Sequence, residues 1–436
     1  MTASYNLSLL GSNYNQGGSG AVARTTASKL QESVSVKDFG AVGDGTTDDT
    51  AAIQAAINAV SSAGGGKVRF TRGTYKVNSS LTVPAYVILS GEGKKSTKII
   101  RAFTGDFITS FNGYCGIEFL TIDGQTGTYG LGRGVLMSGA TPNAYMLQAE
   151  ITNFSQSCLE FGADAGSTFR AVQCDFFTTG AVGSVAAVRV NGTDTAATSR
   201  HFTDSESGGC TIFDFGGCND FYVTGGYTNG LIFGASSSKV MITNQRVGAA
   251  AGSITIAGTS HRIRNCVYAV AVTLNCTNST FHCEVPSYAI TDNGTSNDVF
   301  IQNTSYNPVF SASGGGAAIG NGNIKGAWSR QGTLINVQVD LTFGTTTAVG
   351  TGAFQFSLPV PDYIYGPVQI GGGGTASNGA SSAFATFVCR ITPGSQQVTL
   401  FYVDTAGVLQ NVGAVKPAAI WGSGSNIRFS FSYNTP

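Results

Sequence analysis

The chain has 436 residues, of which 60 are glycine and 11% are charged, and its 24 basic and 24 acidic residues cancel. No basic cluster exceeds Gly93-Lys94-Lys95, which argues against a nucleic-acid partner. No apolar run approaches the about 20 residues of a membrane span, and the N-terminus lacks the basic start and long apolar core of a signal peptide. We therefore predict no membrane insertion, and we expect synthesis and folding in a cytoplasm.

The glycine share is about twice the usual one, and this excess with few charges is typical of short strands and tight turns. The nine cysteines are odd in number, run from Cys115 to Cys389 and form no CxxC pair, which predicts buried thiols. One group lies close together in sequence but matches no zinc motif: Cys266, Cys276, His282 and Cys283. We predict no metal and no cofactor.

The N-terminal residues, 1–33, are rich in Gly, Ser and Asn and cannot bury a core of their own. They form either a disordered tail without a role or a short attachment leader. Residues 34–60, VSVKDFGAVGDGTTDDTAAIQAAINAV, then combine a short strand, a Gly-rich turn and an amphipathic helix. Asp48 and Asp49 supply carboxylates at the positive end of the helix. Its apolar stripe has helical spacing and consists of Ile53, Ala56, Ile57 and Val60.

This motif resembles the opening of the pectate-lyase-like right-handed parallel β-helix proteins, which include phage tailspikes. The resemblance implies an all-β fold in which the N-terminal helix caps the first coil of a parallel β-helix, since an open solenoid end exposes apolar core and unpaired backbone. We expect the cap and β-helix to occupy residues 34–310. In this family the leader attaches the protein to a particle.

A repeat of about 20 residues supports the solenoid. From Lys67 onward the chain consists of short β-type segments, and later an apolar residue is followed two positions on by a small or amide residue. The repeats are Val223-Thr-Gly225, Ile242-Thr-Asn244, Ile263-Arg-Asn265, Phe281-His-Cys283 and Ile301-Gln-Asn303. Steps of 19, 21, 18 and 20 residues return the chain to the same position one strand spacing higher. We therefore predict an inward ladder of Asn244, Asn265 and Asn303 at a turn.

Upstream, the same repeat is predicted to continue with Phe202-Thr-Asp204 and then with Val172-Gln-Cys174. The gap of 30 residues between these two repeats predicts an inserted loop at about residues 180–198. After Pro308 the pattern changes: residues 311–325 resemble a linker, and residues 326–436 alternate as longer strands typical of an antiparallel β-sandwich.

Candidate catalytic residues are acidic, because the chain contains no nucleophile elbow, P-loop, dinucleotide fingerprint or zinc-protease motif. Glycoside hydrolysis needs a carboxylic acid and a second carboxylate about 5 to 9.5 Å apart, which neighbouring β-helix coils provide. The register brings Asp175 beside Asp204 and Glu206, and repulsion between such carboxylates favours keeping one of them protonated as a general acid. Alternatively, Asp204 points inward to satisfy turn amides and Glu206 is solvated surface. Glu150 and Asp214 are reserve candidates.

Candidate substrate-binding residues surround this set on outward columns, where aromatic faces stack on sugar rings and arginine binds carboxylates. They are His201, Tyr222, Tyr227, Arg246 and Arg262. The alternative is that they are scattered surface residues. A uronate lyase needs a base and a positive group at the sugar carboxylate, and His201, Arg246, Arg262 and Arg264 keep this interpretation open. Hydrolysis is favoured, because no Asp cluster suits the calcium of pectate lyases.

The resemblance also implies a biological setting. It points to a homotrimer clamped by the C-terminal domain, which has a possible second role in glycan binding, and to a virion tail in which the leader contacts a baseplate or tail protein. The expected activity is cleavage of a bacterial surface polysaccharide, capsule or O-antigen, and the rival is a tail fibre that binds glycan without cutting it.

Overall fold

The computed structural model describes residues 13–111, 113–137, 143–162, 168–178, 186–191, 199–208, 213–216, 218–248, 253–284, 290–332, 334–359, 369–378, 381–391, 396–404, 406–413, 421 and 423–434. The chain divides into two compact units, residues 1–241 and 242–436. Within the described residues, no helix has both the length and the apolar character needed to cross a membrane.

The leader contains little packed structure in its described part. Strands Asn13–Tyr14 and Arg24–Thr25 pair antiparallel, and the helix Thr26–Leu30 that follows has no buried residue. This agrees with the prediction that residues 1–33 cannot bury a core. The chain then forms strand Val34–Ser35 and the 3₁₀ turn Val36–Phe39.

The capping helix spans Thr50–Ser62 and buries the predicted stripe of Ile53, Ala56, Ile57 and Val60. The predicted role of its two aspartates needs one correction. Asp48 does accept from the Thr50 amide at 3.0 Å, but the buried Asp49 carboxylate makes no helix-capping bond and accepts instead from the Val42 and Gly43 amides at 2.6 and 3.1 Å. Asp49 therefore holds the Gly-rich turn against the helix.

Three parallel sheets make up the body of the first unit, and each coil after the first contributes one strand to each sheet. The first sheet contains Val34–Ser35, Gly66–Arg69, Val87–Ser90, Gly116–Glu118, Ala144–Leu147, Thr168–Val172, Ser199–Thr203 and Asn219–Thr224. The second contains Asp44–Asp48, Gly73–Val77, Thr97–Arg101, Thr121–Asp123, Glu150–Phe154, Asp175–Thr178, Glu206–Gly208 and Tyr227–Thr228. The third contains Leu81–Val83, Ile108–Phe111, Val135–Met137, Leu159–Phe161, Val188–Val190, Phe213–Asp214 and Leu231–Ile232.

The predicted inserted loop at residues 180–198 is wrong for the segment Val188–Val190. Val188–Val190 lies in the third sheet, where Val188 pairs with Leu159, because its alternating valines bury on the core side. The other residues of that prediction, apart from 186, 187 and 191, lie outside the described part of the chain.

The predicted register is also one residue out before Phe202. Phe202 pairs with Ala171 rather than with Val172, and Val223 pairs with Phe202 as predicted. Gln173 consequently occupies the turn position in its coil that Asp204 occupies in the next coil. Asp175 pairs with Glu206, one residue further along than predicted.

A left-handed residue marks the turn between the first and second sheets in successive coils. In the first unit these residues are Phe119, Gln148, Gln173 and Asp204, with φ from 46° to 56°. Asn244 and Asn265 hold the same conformation in the second unit, and both side chains are exposed. The residues that follow them, Gln245 and Cys266, are buried instead. The predicted inward ladder is therefore wrong for Asn244 and Asn265: asparagine occurs here because it tolerates positive φ. The side chain of Asn303 is outside the described part.

The second unit begins with two further parallel ladders. One contains Ser253–Thr259, Ala271–Thr277 and Ile290–Asp292, and the other contains Arg246–Val247, Arg262–Tyr268, Thr280–Glu284 and Asp298–Tyr306. Strand Ser238–Thr243 spans the division between the units. Phe281 pairs with Val299 and not with Ile301, so the last predicted repeat is two residues out of register.

Antiparallel pairing takes over after this point. The strand order is Asp298–Tyr306, Asn323–Gln331, Leu334–Thr342, Asn426–Asn434, Gln369–Asn378, Ser381–Ile391, Gln397–Val403, Phe354–Ser357 and Phe310–Ala312, and Leu409–Asn411 also pairs with Gln397–Val403. Residues 311–325, predicted as a linker, contribute to strands at both ends, and Ala317–Ala318 pairs with Ala348–Val349. The β-sandwich and the domain boundaries remain predictions.

Eight of the nine cysteines lie in the described residues, and all eight are buried thiols. Cys210 is outside the described part. In the group near residue 280, Cys266 and Cys283 are paired through their backbones on neighbouring strands, and both thiols are buried inside the second unit. His282 faces outward because side chains alternate along a strand.

Candidate functional site

Three acidic residues form a column on the outer face of the second sheet in the first unit. Glu150 pairs with Asp175, and Asp175 pairs with Glu206. Parallel pairing places the backbones of such neighbours about 4.8 Å apart. Two predicted catalytic residues and one reserve candidate therefore lie side by side, one per coil.

Lysines from a single turn neutralise two members of this column. The Lys94 ammonium lies 2.9 Å from an Asp175 carboxylate oxygen and donates to the Gln173 carbonyl at 2.7 Å. Lys95 lies 2.6 Å from the carboxylate of Glu150, whose side chain is only 5% exposed. The repeat pattern does not predict these contacts, because the lysines belong to a turn about 80 residues upstream of Asp175.

Glu206 differs from the other two carboxylates. Its side chain is exposed, and it has no ion-pair partner among the residues that the structure describes. The local environment therefore changes along the column, from the buried and paired Glu150 to the exposed Glu206.

Asp204 lies one turn away from this column. Its φ of 46° identifies it as the left-handed residue of its coil, and its side chain is exposed, so the alternative that it points inward is wrong. A side chain at Gly225 in the next coil would come within 2.2 Å of the Asp204 carboxylate, which explains a glycine there. Asp204 is available to solvent but is not aligned with Asp175 and Glu206.

A pocket opens on the first sheet, before the same turn. Its volume is about 410 Å³, and its lining includes Asn143, Tyr145, Arg170, Ser199 and His201. Arg170 pairs with Tyr145 below and with His201 above, so the three side chains form an outward column. Sequence reasoning found His201 but missed Tyr145 and Arg170, because the predicted register was one residue out in these coils.

His201 is held rigidly in this pocket. Its ring stacks on Tyr222 with centroids 4.5 Å apart and planes within 3°, and its Nε2 lies 2.7 Å from the Ser199 hydroxyl. Burial, together with the positive charge of Arg170, lowers the pKa of His201. The imidazole is therefore neutral at pH 7, and it presents an aromatic edge and a hydrogen-bonding nitrogen.

A buried carboxylate supports the pocket from below. Glu118 is 4% exposed, accepts from the Tyr145 hydroxyl at 3.1 Å and from Ser90 at 2.8 Å, and forms an ion pair with Lys67. Burial opposes ionisation, but these hydrogen bonds and Lys67 lower the pKa of Glu118. Burial and the Glu118 charge in turn raise the pKa of Tyr145. Tyr145 thus remains a protonated, oriented donor.

The remaining predicted binding residues are distributed over both units. Tyr227 pairs with Glu206 on the acidic column and donates to Asn229 at 2.6 Å. Arg246 and Arg262 are exposed on strands of the second unit, where they pair with Val267 and Thr280.

His282, next to Arg264 on the neighbouring strand of the second unit, contacts Asp298 at 2.9 Å. The Asp214 side chain is outside the described part. Among the described residues, no three His, Cys, Asp or Glu side chains are grouped closely enough to hold a metal ion.

Comparison with known proteins identifies the family. Residues 33–281 match the family described as Rhamnogalacturonase A/epimerase, pectate lyase-like, and the chain belongs to this family. The fold is accordingly the mainly β, pectate-lyase-like parallel β-helix that the opening motif predicted, which is confirmed.

Individual relatives match only a short segment. A mannuronan C5-epimerase of Azotobacter vinelandii is 39% identical over 110 residues, which covers 21% of this chain and 6% of the relative. The tail spike protein of Shigella phage Sf6 is 41% identical over 90 residues, covering 20% of this chain and 14% of that protein. The chain therefore spans a small fraction of the length of these relatives.

Structural similarity extends much further. The ORF18 protein of Geobacillus virus E2 aligns with a TM-score of 0.54 at 16% identity, over 93% of this chain and 86% of that chain. Similarity at this level of identity shows a shared fold.

Proposed function

We propose that the chain is the tailspike of a phage or phage-derived particle, and that it binds and hydrolyses a bacterial surface polysaccharide, either capsule or O-antigen. The pairing of Asp175 with Glu206 carries the proposal: the two neighbouring carboxylates have different surroundings, since among the described residues a lysine contacts Asp175 and none contacts Glu206. The family and the short similarity to a phage tail spike support the same direction.

In this mechanism, Glu206 is the general acid and Asp175 the carboxylate that acts at the anomeric carbon. The Glu206 proton goes to the leaving glycosidic oxygen as the C1–O bond breaks, and the Asp175 carboxylate, held in place by its contact with Lys94, attacks C1. Water then hydrolyses the glycosyl ester, with Glu206 acting as base. Adjacent strands about 4.8 Å apart match the separation of about 5 to 5.5 Å that retaining glycosidases use.

The pocket at Tyr145, Arg170 and His201 supplies a sugar-binding subsite on the other side of the turn. A carbohydrate ring packs against the His201–Tyr222 stack, and Arg170 contacts sugar hydroxyls or a carboxylate. Asp204 is exposed at the intervening turn and accepts hydroxyl donors. A polysaccharide bound across the turn thus reaches both the pocket and the acidic column.

The same pocket favours a second candidate, β-elimination on a uronate. Neutral His201 would remove the proton at C5, and the C5–H electron pair would form the C4=C5 double bond. The C4–O4 bond would break with its electrons going to O4, which would take a proton from water, and Arg170 would neutralise the sugar carboxylate. The similarity to a mannuronan C5-epimerase is consistent with this chemistry.

One assay separates the candidates. The protein is incubated with purified host polysaccharide while reducing ends and the ultraviolet absorbance of an unsaturated product are followed. New reducing ends without absorbance indicate hydrolysis, and absorbance indicates elimination. Neither signal, with glycan still bound, would leave a receptor-binding tail fibre. A homotrimer, attachment through the leader and a location in the virion tail complete the proposal, and light scattering tests the trimer.

A further inference from the structure

A second groove lies in the antiparallel part of the second unit. Its volume is about 460 Å³, within the range of small-ligand sites, and its lining includes Ser305, Asn307, Lys325, Gln338 and Arg428. The lining comes from four neighbouring strands of one sheet and from Asn307, which follows the strand Asp298–Tyr306. It is independent of the carboxylate column in the first unit.

Strand alternation makes this groove polar. Val337, Val339 and Phe429 are buried on the inner side of the sheet, so the residues between them face outward. Across the outer face, Ala327 stands between Ser305 and Gln338. The small alanine leaves the space that the larger side chains on both sides enclose.

The charges in the groove do not cancel. Asp340 is bound by Arg428, with Nη2 and Nε at 2.5 and 3.0 Å, and it also accepts from Asn426 at 2.8 Å. Lys325 pairs with Asp340 across the strands but has no ion-pair partner in the described part of the chain. With Lys325 and Arg428 against the single carboxylate of Asp340, these three groups carry one excess positive charge.

The hydrogen-bonding groups next to this charge are also unused. Ser305, Asn307 and Gln338 make no side-chain hydrogen bond within the described residues. Hydroxyl and amide groups that both donate and accept match the alternating donors and acceptors of a sugar ring. A lysine at one side is suited to a carboxylate on that sugar.

We propose that this groove binds a carboxylate-bearing oligosaccharide, as a second saccharide site that does not take part in cleavage. The choice of a saccharide rests on the proposed function, whereas the requirement for an anion rests on Lys325. The site would keep a long acidic glycan attached to the protein while other segments of it are cut.

The test uses the full chain and short oligosaccharides prepared by partial acid hydrolysis of acidic bacterial capsular polysaccharides. Each is compared with its carboxyl-reduced form by isothermal calorimetry. Ala327→Tyr fills the groove from an outward-facing position, and Ser329→Tyr, on the same strand and face but outside the lining, is its matched control. Lys325→Gln removes only the exposed charge.

We expect Ala327→Tyr to remove one binding site per chain and Ser329→Tyr to leave both. Lys325→Gln should weaken binding at that site about tenfold and abolish its preference for the acidic over the reduced form. Equal stoichiometry in Ala327→Tyr and Ser329→Tyr, or equal wild-type affinity for both forms of the glycan, would overturn the proposal.

Cleavage is measured separately, so that the two proposals fail independently. Ala327→Tyr should cut short oligosaccharides, for which attachment at a second site brings no advantage, at the wild-type rate, and Glu206→Gln should lose cleavage while retaining the groove site. If Ala327→Tyr does not fold, judged by its thermal transition, Lys325→Gln alone decides, since a surface charge is removed without changing the core.

Discussion

Asp175 and Glu206 lie directly opposite each other on neighbouring parallel strands, yet within the described part of the chain a lysine contacts the Asp175 carboxylate and none contacts Glu206. The pair is thus asymmetric in charge although it is symmetric in backbone position. In the proposed mechanism this asymmetry gives the two residues different roles, which leads to the first prediction.

Glu206→Gln and Asp175→Asn should each reduce the cleavage rate by about 10²- to 10⁴-fold, because each removes one proton-transfer or covalent role. Glycan binding and thermal stability should change little for Glu206→Gln, whose side chain is exposed. Reducing-end release measures the rate. Asp220→Asn, a carboxylate in the same unit that pairs with no member of the column, is the control, and cleavage by both active-site variants at the control rate would place the site elsewhere.

Arg170→Ala distinguishes the two candidate chemistries. For hydrolysis on the acidic column, it should raise KM about tenfold with kcat nearly unchanged, because a binding contact is lost equally in ground and transition states. For elimination in the pocket, kcat should fall strongly, because the developing charge on the sugar carboxylate loses its cation. Arg72→Ala, an exposed arginine on a turn of the same unit, serves as the control. Unchanged KM and kcat in Arg170→Ala would remove this pocket from the glycan site.

Arg101→Lys should destabilise the first unit by about 2 to 4 kcal/mol, because buried carbonyls lose their donors. The guanidinium is fully buried and donates to the carbonyls of Gly105, Gly124, Gly130 and Leu131 at 2.6 to 3.1 Å. A lysine has one ammonium and cannot reach all four. Urea unfolding measures the loss, with the exposed Arg72→Lys as control, and equal midpoints for the two variants would contradict this account.

The stability should fall as the pH is lowered from 7 toward 5. Burial lowers the pKa of His261, which is 1% exposed and whose Nε2 lies 2.8 Å from the Ala257 carbonyl. Above pH of about 6.5 the histidine is neutral in both states, and below it the unfolded chain takes up a proton that the folded chain resists. His201 shifts in the same direction.

His261→Gln should therefore flatten this pH dependence by about 1.4 kcal/mol for each unit of pKa difference. Free energies of unfolding from urea titrations at several pH values give the slope. An unchanged slope in the variant would show that His261 does not resist protonation in the folded state.

Much of the architecture was predictable from local patterns. The helix stripe from Ile53 to Val60 has the period of a helix, and the repeats of about 20 residues have the period of a coil, so both can be read without long-range information. The strand registers were predicted less accurately than the elements. The errors of one residue at Val172 and two residues at Ile301 arise because several positions within a short strand are equally apolar.

The sequence by itself determined the capped parallel β-helix, the pairing neighbourhood of Asp175 and Glu206, and the change to longer strands after Pro308. Only the tertiary structure decided that Lys94 and Lys95 face the acidic column, that Tyr145 and Arg170 share a pocket with His201, and that Asp204 is an exposed left-handed turn residue. The physical reason is that periodicity reports which face a residue occupies within its own coil. The charge and hydrogen bonds around that residue come from coils and turns that are distant in the chain.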